Sequence, residues 1–412
     1  MRIWAFPSFY PYDYPGLTYA GIFAHRQYKG LIQNGAELNV IVPINRSPPY
    51  PISQLHPEWR QLHAFRYPLK RVYDGINVYH PRISNKKPNR FEKKSYDERY
   101  VDAIVSFFKK KKIALDPLKD VFYSQWLPSS YLVQLAAHQL GVKSAILSIG
   151  DDVVLWPYWK KENMELFKET LRGAAFRFTC ADYLGKLANS TLGENLSYEV
   201  VRMGAEYDFF KPVSPAKKAE LRKEYNIPND KIVILNIGTA SVRKGWLDLL
   251  DALGHLKRVS PDFVLIGVYT GRQEFSFKEE VAKRGLEDHF LNLGEVAPAA
   301  LNKLFNTADI FCLPSHSEGI ANVVIEAMSS GLPVITTNVC GHPELVNSGV
   351  TGILIPPQEP KPLFESLTAL VNNSALRAKL GASARAFIVN EWGNYAHNAK
   401  ILYEKLRAGL AS

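Results

Sequence analysis

The feature that most restricts the fold is a regular strand–helix alternation in the second half of the chain. The run from Lys231 to Ile237 is apolar and β-branched, and it stops at Gly238. A run without polar–apolar alternation is what a strand buried on both faces requires. A helical pattern follows over Trp246 to Val259, a strand over Phe263 to Tyr269 and a helix over Phe275 to Arg284. Next come a short strand at Phe290 to Leu293, a helix at Pro298 to Asn306 and a strand at Ile310 to Leu313. A helix over Asn322 to Ser330 and strands at Val334 to Thr337 and Ile353 to Ile355 complete the set. This alternation predicts a parallel sheet with helices on both faces.

The first half opens in the same way. A strand over Ile3 to Phe6 leads into a turn-rich stretch ending at Pro15-Gly16. A helix from Gly21 to Asn34, closed by Gly35, precedes a strand over Leu38 to Pro43. Asn45 to about Pro88 reads as loops and short strands, including Ile76 to His80. Strands at Val121 to Ser124, Ser144 to Ile149 and Tyr198 to Arg202 continue, with a helix over Tyr131 to Leu140 ended by Gly141. A linker runs from Lys211-Pro212 to Pro215. A chain of 412 residues is too long for one ordinary core. The expected fold class is therefore α/β, with two Rossmann-like doubly wound domains facing a cleft. The first is placed at residues 1–210 and the second at 211–385. Ligands of such sheets bind outside the carboxyl ends of the strands.

Composition narrows the partners. Cys180, Cys312 and Cys340 are widely spaced and form no CxxC pair, so a disulfide framework and a zinc site are not expected. The opening MRIWAFPSFYPYDYPG is broken by prolines, and no later stretch holds 18 uninterrupted apolar residues. A cytoplasmic protein is expected, peripheral on the inner membrane face at most. The net charge of +10 favours anionic partners. Much of it lies in Lys86 to Lys112, which holds Lys86-Lys87, Lys93-Lys94 and the run Lys109 to Lys112. This stretch reads either as a solvated face or, with Phe107-Phe108, as an interfacial helix on an anionic membrane surface. No helix-turn-helix, zinc-finger or RNA-binding signature accompanies the charge, which argues against nucleic acid.

Two segments carry the chemistry. In Pro314 to Gly331, a buried strand ends, a small polar loop follows and a helix begins near Asn322. The free N–H groups of such a helix start suit a pyrophosphate, and Gly319 lets the backbone approach closely. Glu318 and Glu326 flank this start, and carboxylates accept hydrogen bonds from sugar and ribose hydroxyls. Acids at helix starts are common on their own, so it is the strand, glycine and helix around them that give the pair meaning. The second segment, Gly238 to Gly245, places Arg243 and Lys244 where phosphate charge needs neutralising. An isolated Lys-Gly turn would be merely a loop.

Together these residues resemble the retaining GT-B glycosyltransferases of family 4, the glycosyl transferases group 1. The pattern G-R-x-x-x-x-K-G stands here as Gly238 to Gly245, and P-S-x-x-E-G with an acid eight residues on stands as Pro314 to Val334. Gly341 to Val346, Thr351 to Pro356 and Gly204 to Pro212 extend the resemblance over nearly the whole chain. It implies a nucleotide-diphosphate sugar as donor and no cofactor or metal. It further implies Lys244 on the diphosphate, Glu318 at the transferred sugar and Glu326 on the ribose. Gly319, Ile320, Ala321 and Asn322 would surround the donor, together with Arg243 and Thr239. The acceptor, a glycan or lipid-linked precursor, would bind the first domain, and residues 386–412 would form a helix packing back on that domain. Gly21, Asp152 and His316 are assigned to the acceptor or sugar side.

Two positions depart from the family pattern. Its arginine after the first glycine is Thr239 here, and its histidine before Gly-x-Asp is Ile149. A catalytically degenerate nucleotide-sugar-binding protein of the same fold is therefore a second reading. A nicotinamide-dependent Rossmann enzyme is disfavoured, because no GxGxxG follows either first strand.

Overall fold

The structure is a computed structural model and describes residues 1–8, 10, 21–46, 68–84, 94–271 and 273–411. The turn-rich stretch to Pro15-Gly16, most of Asn45 to Pro88, and Lys86, Lys87 and Lys93 lie outside the described residues. The chain forms two compact units. One contains Met1–Cys180, Leu184–Val201 and Ala396–Ser412, the other Ala181–Tyr183 and Arg202–Tyr395.

The first unit is built on strands β1 (Arg2–Phe6), β2 (Glu37–Ile41), β3 (Ile44–Asn45), β4 (Lys70–Tyr73), β5 (Ile76–Tyr79) and β6 (Arg82–Ile83). Strands β7 (Asp120–Gln125), β8 (Lys143–Ser148), β9 (Phe176–Thr179) and β10 (Glu199–Val200) complete it. The main sheet has the order β10-β9-β8-β7-β1-β2-β5-β4, parallel except for the antiparallel β4–β5 pair. The sequence reading missed β9. Its Phe-Arg-Phe-Thr carries an arginine in four residues, and what makes it a strand is pairing between β8 and β10 rather than its own composition.

The helix Tyr96–Lys110 starts with a Ser95–Glu98 capping box and buries Val101, Ile104, Val105 and Phe108. Phe108 is 1% exposed, with its ring 4.8 Å from Trp4 and 5.2 Å from Phe122. Phe107 packs on Tyr79 at 5.1 Å. The interfacial-helix expectation is corrected here. The sheet has already taken the apolar face that a bilayer would take, leaving Lys109 to Lys112 exposed in water. The helix Tyr395–Ala411 lies in this unit from Ala396 on. The Ala396 carbonyl accepts from Asn34, that of Gly409 accepts from Lys143, and Lys405 pairs with Glu199.

The second unit is an all-parallel sheet in the order β13-β12-β11-β14-β15-β16. These strands are β11 (Ile232–Thr239), β12 (Phe263–Thr270), β13 (Phe290–Gly294), β14 (Ile310–Leu313), β15 (Val334–Thr337) and β16 (Ile353–Ile355). The continuous apolar run of β11 has its reason in packing. Val233, Leu235 and Ile237 enter one buried cluster while Ile234 enters another on the opposite face. The strand order reverses direction between β11 and β14. That switch point opens the sheet at the carboxyl ends of those two strands, where doubly wound folds bind ligands.

Candidate active site

Both sequence segments singled out above leave the sheet of the second unit at this switch point. After β11 the chain makes a single turn of 3₁₀ helix, Val242–Lys244, and Gly245 then starts the helix Trp246–Val259. After β14 it runs through Pro314 to Ala321 and starts the helix Asn322–Ser329.

The two loops are locked together. The His316 N–H donates to the Arg243 carbonyl at 2.7 Å, and Arg243 Nη1 donates to the Ser317 carbonyl at 3.0 Å. His316 Nε2 lies 2.6 Å from Asp248 Oδ2 on the first helix. Gly245 holds φ at 69°, and a Cβ there would lie 1.9 Å from the Pro314 carbonyl oxygen. The glycine of the Lys-Gly turn is thus required by the close approach of the Pro-Ser loop. Trp246 Nε1 donates to the Thr239 carbonyl at 2.9 Å, pinning the end of β11.

This lock places Lys244 Nζ in an ion pair with Glu318 Oε1, which also accepts from Ser315 Oγ at 3.0 Å. Glu318 is only 7% exposed. Burial alone would raise its pKa, yet the charge and hydrogen bond of Lys244, with help from His342 and Arg243, hold it below the usual carboxylate range. Glu318 is therefore ionised while buried. Glu326 is likewise buried, one turn into its helix at 8% exposure. Ala321 caps that helix without a side-chain hydrogen bond, and Asn322 opens it. A third loop closes the group. The Gly341 N–H donates to the Gly319 carbonyl at 3.1 Å, and a Cβ on Gly341 would lie 2.5 Å from that oxygen.

His342 follows Gly341 in that third loop. It is wholly buried. Thr336 Oγ1 gives its proton to the Leu313 carbonyl, so His342 Nδ1 donates to that hydroxyl at 2.9 Å and to the Thr337 carbonyl at 3.2 Å. Burial lowers its pKa, and Glu318 opposes this. The imidazole supports the loop through these two bonds. Ser315 and Asp248 were missed, since a serine and a helix acid carry no signal apart from the partners they meet in space.

Four assignments change. Asp152, placed on the acceptor or sugar side, is 0% exposed. It accepts from the N–H groups of Gly150 at 2.8 Å, Ile149 at 3.1 Å and Leu127 at 3.2 Å. It anchors the loop after β8 and leaves its carboxylate no open side. His316 is committed to Asp248, so it positions the loop rather than facing an acceptor. Thr239 is exposed, its hydroxyl 3.1 Å from Ser241 Oγ, and supplies none of the charge of the family arginine. Arg243 bridges loops through Ser317. Gly21 precedes the helix Ile22–Gln33 of the first unit with φ 77°. Among the described residues no cluster of three or more His, Cys, Asp or Glu could hold a metal, and no helix is long and apolar enough to cross a membrane.

Comparison with known proteins shows what this arrangement is similar to. Residues 217–387, which contain both locked loops, match the model described as Glycosyl transferases group 1. That segment is similar to group 1 glycosyltransferases. The teichuronic acid biosynthesis glycosyltransferase TuaC of Bacillus subtilis (strain 168) is 26% identical over 372 residues, 89% of this chain and 88% of that protein. The spore coat protein SA of the same organism is 30% identical over 244 residues, 56% of this chain and 64% of that one. Among solved structures, sucrose-phosphate synthase from Thermosynechococcus elongatus superposes with a TM-score of 0.76 at 18% identity, covering 99% of this chain and all of that one. Anabaena Alr3699/HepE in complex with UDP-glucose gives 0.74 at 18% identity with the same coverage. The chain thus has the GT-B fold of two Rossmann-like units.

Proposed function

We propose that this chain moves a sugar from a nucleotide-diphosphate donor to a hydroxyl of a glycan or lipid-linked acceptor, with retention at the anomeric carbon. The observation that carries the reading is the buried Lys244–Glu318 ion pair at the switch point of the second unit. Lys244 is ready to exchange Glu318 for the donor diphosphate and to neutralise it as it leaves. Glu318 then faces the transferred sugar. Glu326 holds the ribose, and the backbone N–H groups of Ile320 and Ala321, with the start of the helix at Asn322, meet phosphate or sugar. The acceptor hydroxyl attacks on the face the diphosphate leaves, and a diphosphate oxygen takes its proton.

Alr3699/HepE was solved with UDP-glucose, which makes UDP-hexoses the first donors to try. TuaC is named for teichuronic acid biosynthesis, which supports a surface polysaccharide as the product class. The reading requires no cofactor and no divalent metal, so full activity in excess EDTA is expected. NMR of the product tests the mechanism. The α-configured donor should give an α-linked product, and an inverted product would refute retention.

A second reading, a nucleotide-sugar-binding protein without turnover, is favoured by Thr239. It brings no cation to that position. Tight donor binding with no transfer to any acceptor and no donor hydrolysis would select it.

A further inference from the structure

Trp126 stands in a backbone conformation that tryptophan rarely takes, with φ at 77° and ψ at 105°. It directly follows β7, and the strand order of the first unit's main sheet turns around between β1 and β7. Trp126 therefore lies at the carboxyl edge of a second switch point. Hydrogen bonds on both sides hold it there. Its N–H donates to the Leu147 carbonyl at 3.2 Å, and its carbonyl accepts from Ser129 Oγ and Ser130 Oγ, each at 3.1 Å. Strained residues that their surroundings over-determine cluster at ligand clamps and active sites.

The side chain held this way is uncommitted. Trp126 is half-buried, and among the described residues its ring meets no other ring and its Nε1 has no acceptor. The residue before it, Gln125, is 5% exposed. Gln125 Nε2 donates to Gln27 Oε1 at 2.6 Å, and that oxygen also accepts from the Tyr123 hydroxyl at 2.7 Å. With its amide nitrogen fixed, Gln125 keeps Oε1 without a donor among the described residues, and that oxygen retains accessible surface. An indole face, a free donor and a fixed free acceptor match a sugar ring. The C–H face of a pyranose packs on the indole, one hydroxyl donates to Oε1, and a sugar oxygen accepts from Nε1. Neither side chain is charged, which suits a neutral sugar. We propose that Gln125 and Trp126 form the subsite for the acceptor's terminal pyranose, an assignment that rests on the glycosyl-transfer reading.

The test uses the full chain grown with 5-fluorotryptophan. The probes are the methyl α-glycosides of glucose, galactose, mannose and N-acetylglucosamine. Trp126→Phe identifies the Trp126 fluorine signal as the one it removes. Gln125→Met keeps the side chain's length and deletes its amide. Trp126→Gly deletes the ring, and because glycine takes a φ of 77° freely it should melt within roughly 5 °C of wild type. The expected result is a saturable shift of the Trp126 signal by at least one glycoside, with affinity falling roughly tenfold in Gln125→Met. No shift by any of the four would overturn the subsite, and so would unchanged affinity in Gln125→Met. A steep loss of stability in Trp126→Gly would make the ring a packing group and overturn it as well. Calorimetry with nucleotide sugars separates this assignment from the reading beneath it. Gln125→Met and Trp126→Gly should bind donor as wild type does. Loss of donor binding in both would move the pair to the donor side and overturn the acceptor assignment. A wild type that binds no nucleotide sugar defeats the glycosyl-transfer reading, and the acceptor assignment falls with it whatever the fluorine signal does.

Discussion

Glu318 and Asp152 are both buried carboxylates in loops that follow parallel strands, one in each unit, and their pKa values are shifted in opposite directions. Glu318 meets a lysine and is held ionised despite burial. Asp152 meets only backbone N–H groups, which are too weak to outweigh burial, and its pKa is pushed up to about 6. The difference teaches what burial of an acid is for in each place. A buried ion pair is a poor source of stability, because desolvation offsets most of its attraction. Its presence at a sheet switch point is better explained by a ligand that takes one partner over. A carboxyl that accepts only backbone N–H groups is what holding a loop requires.

The comparison breaks most visibly at the ion pair. Lys244→Ala and Glu318→Gln should each lower kcat by about 100-fold or more, measured by nucleotide release with a competent donor and acceptor. Asp152→Asn should stay within about threefold on the same assay. Near-equal effects at the two carboxylates would erase the distinction. Gly245→Ala probes the geometry that creates the pair. Its Cβ would collide with the Pro314 carbonyl at a φ of 69°. A loss of at least about 2 kcal/mol by denaturant titration is expected, with activity falling alongside.

The opposite shifts give a pH prediction. An Asp in the unfolded chain releases its proton near pH 4, roughly, whereas Asp152 in the folded chain keeps it to about 6. Between those values the folded state binds more protons, so stability falls as pH rises through the window. The fall attributable to Asp152 is on the order of 2 to 3 kcal/mol and persists above it. Asp152→Asn should remove that part of the slope, and an unchanged slope would contradict the assignment. The sign is reversed for Glu318. Its depressed pKa contributes stability that is present above the unfolded value and lost as pH falls through the folded one. The smallest effect is expected at Glu326. Glu326→Ala should weaken nucleotide binding by roughly tenfold, the loss of one charge-assisted hydrogen bond.

How much of this was legible in the sequence also differs between the units. In the second, Trp246 to Val259, Ile310 to Leu313 and Val334 to Thr337 form elements with the bounds expected. Each carries its own periodicity and its own Gly or Pro stop. In the first, β9 depends on its neighbours for its identity, and Phe107-Phe108 looked interfacial because sequence cannot show which surface takes an apolar face. Spacing singled out Lys244, Glu318 and Glu326, and the structure joins the first two in an ion pair. The action of His342 on Glu318 and the His316–Asp248 contact were not legible, because they join segments that meet only after the sheet has formed.

The central claim is that the Lys244–Glu318 pair is a donor-diphosphate site. Calorimetric titration of UDP-, GDP- and ADP-sugars into wild type and Lys244→Ala tests it most directly. The account predicts that one nucleotide class binds wild type and binds the variant at least roughly tenfold more weakly. Equal binding to both proteins would contradict it.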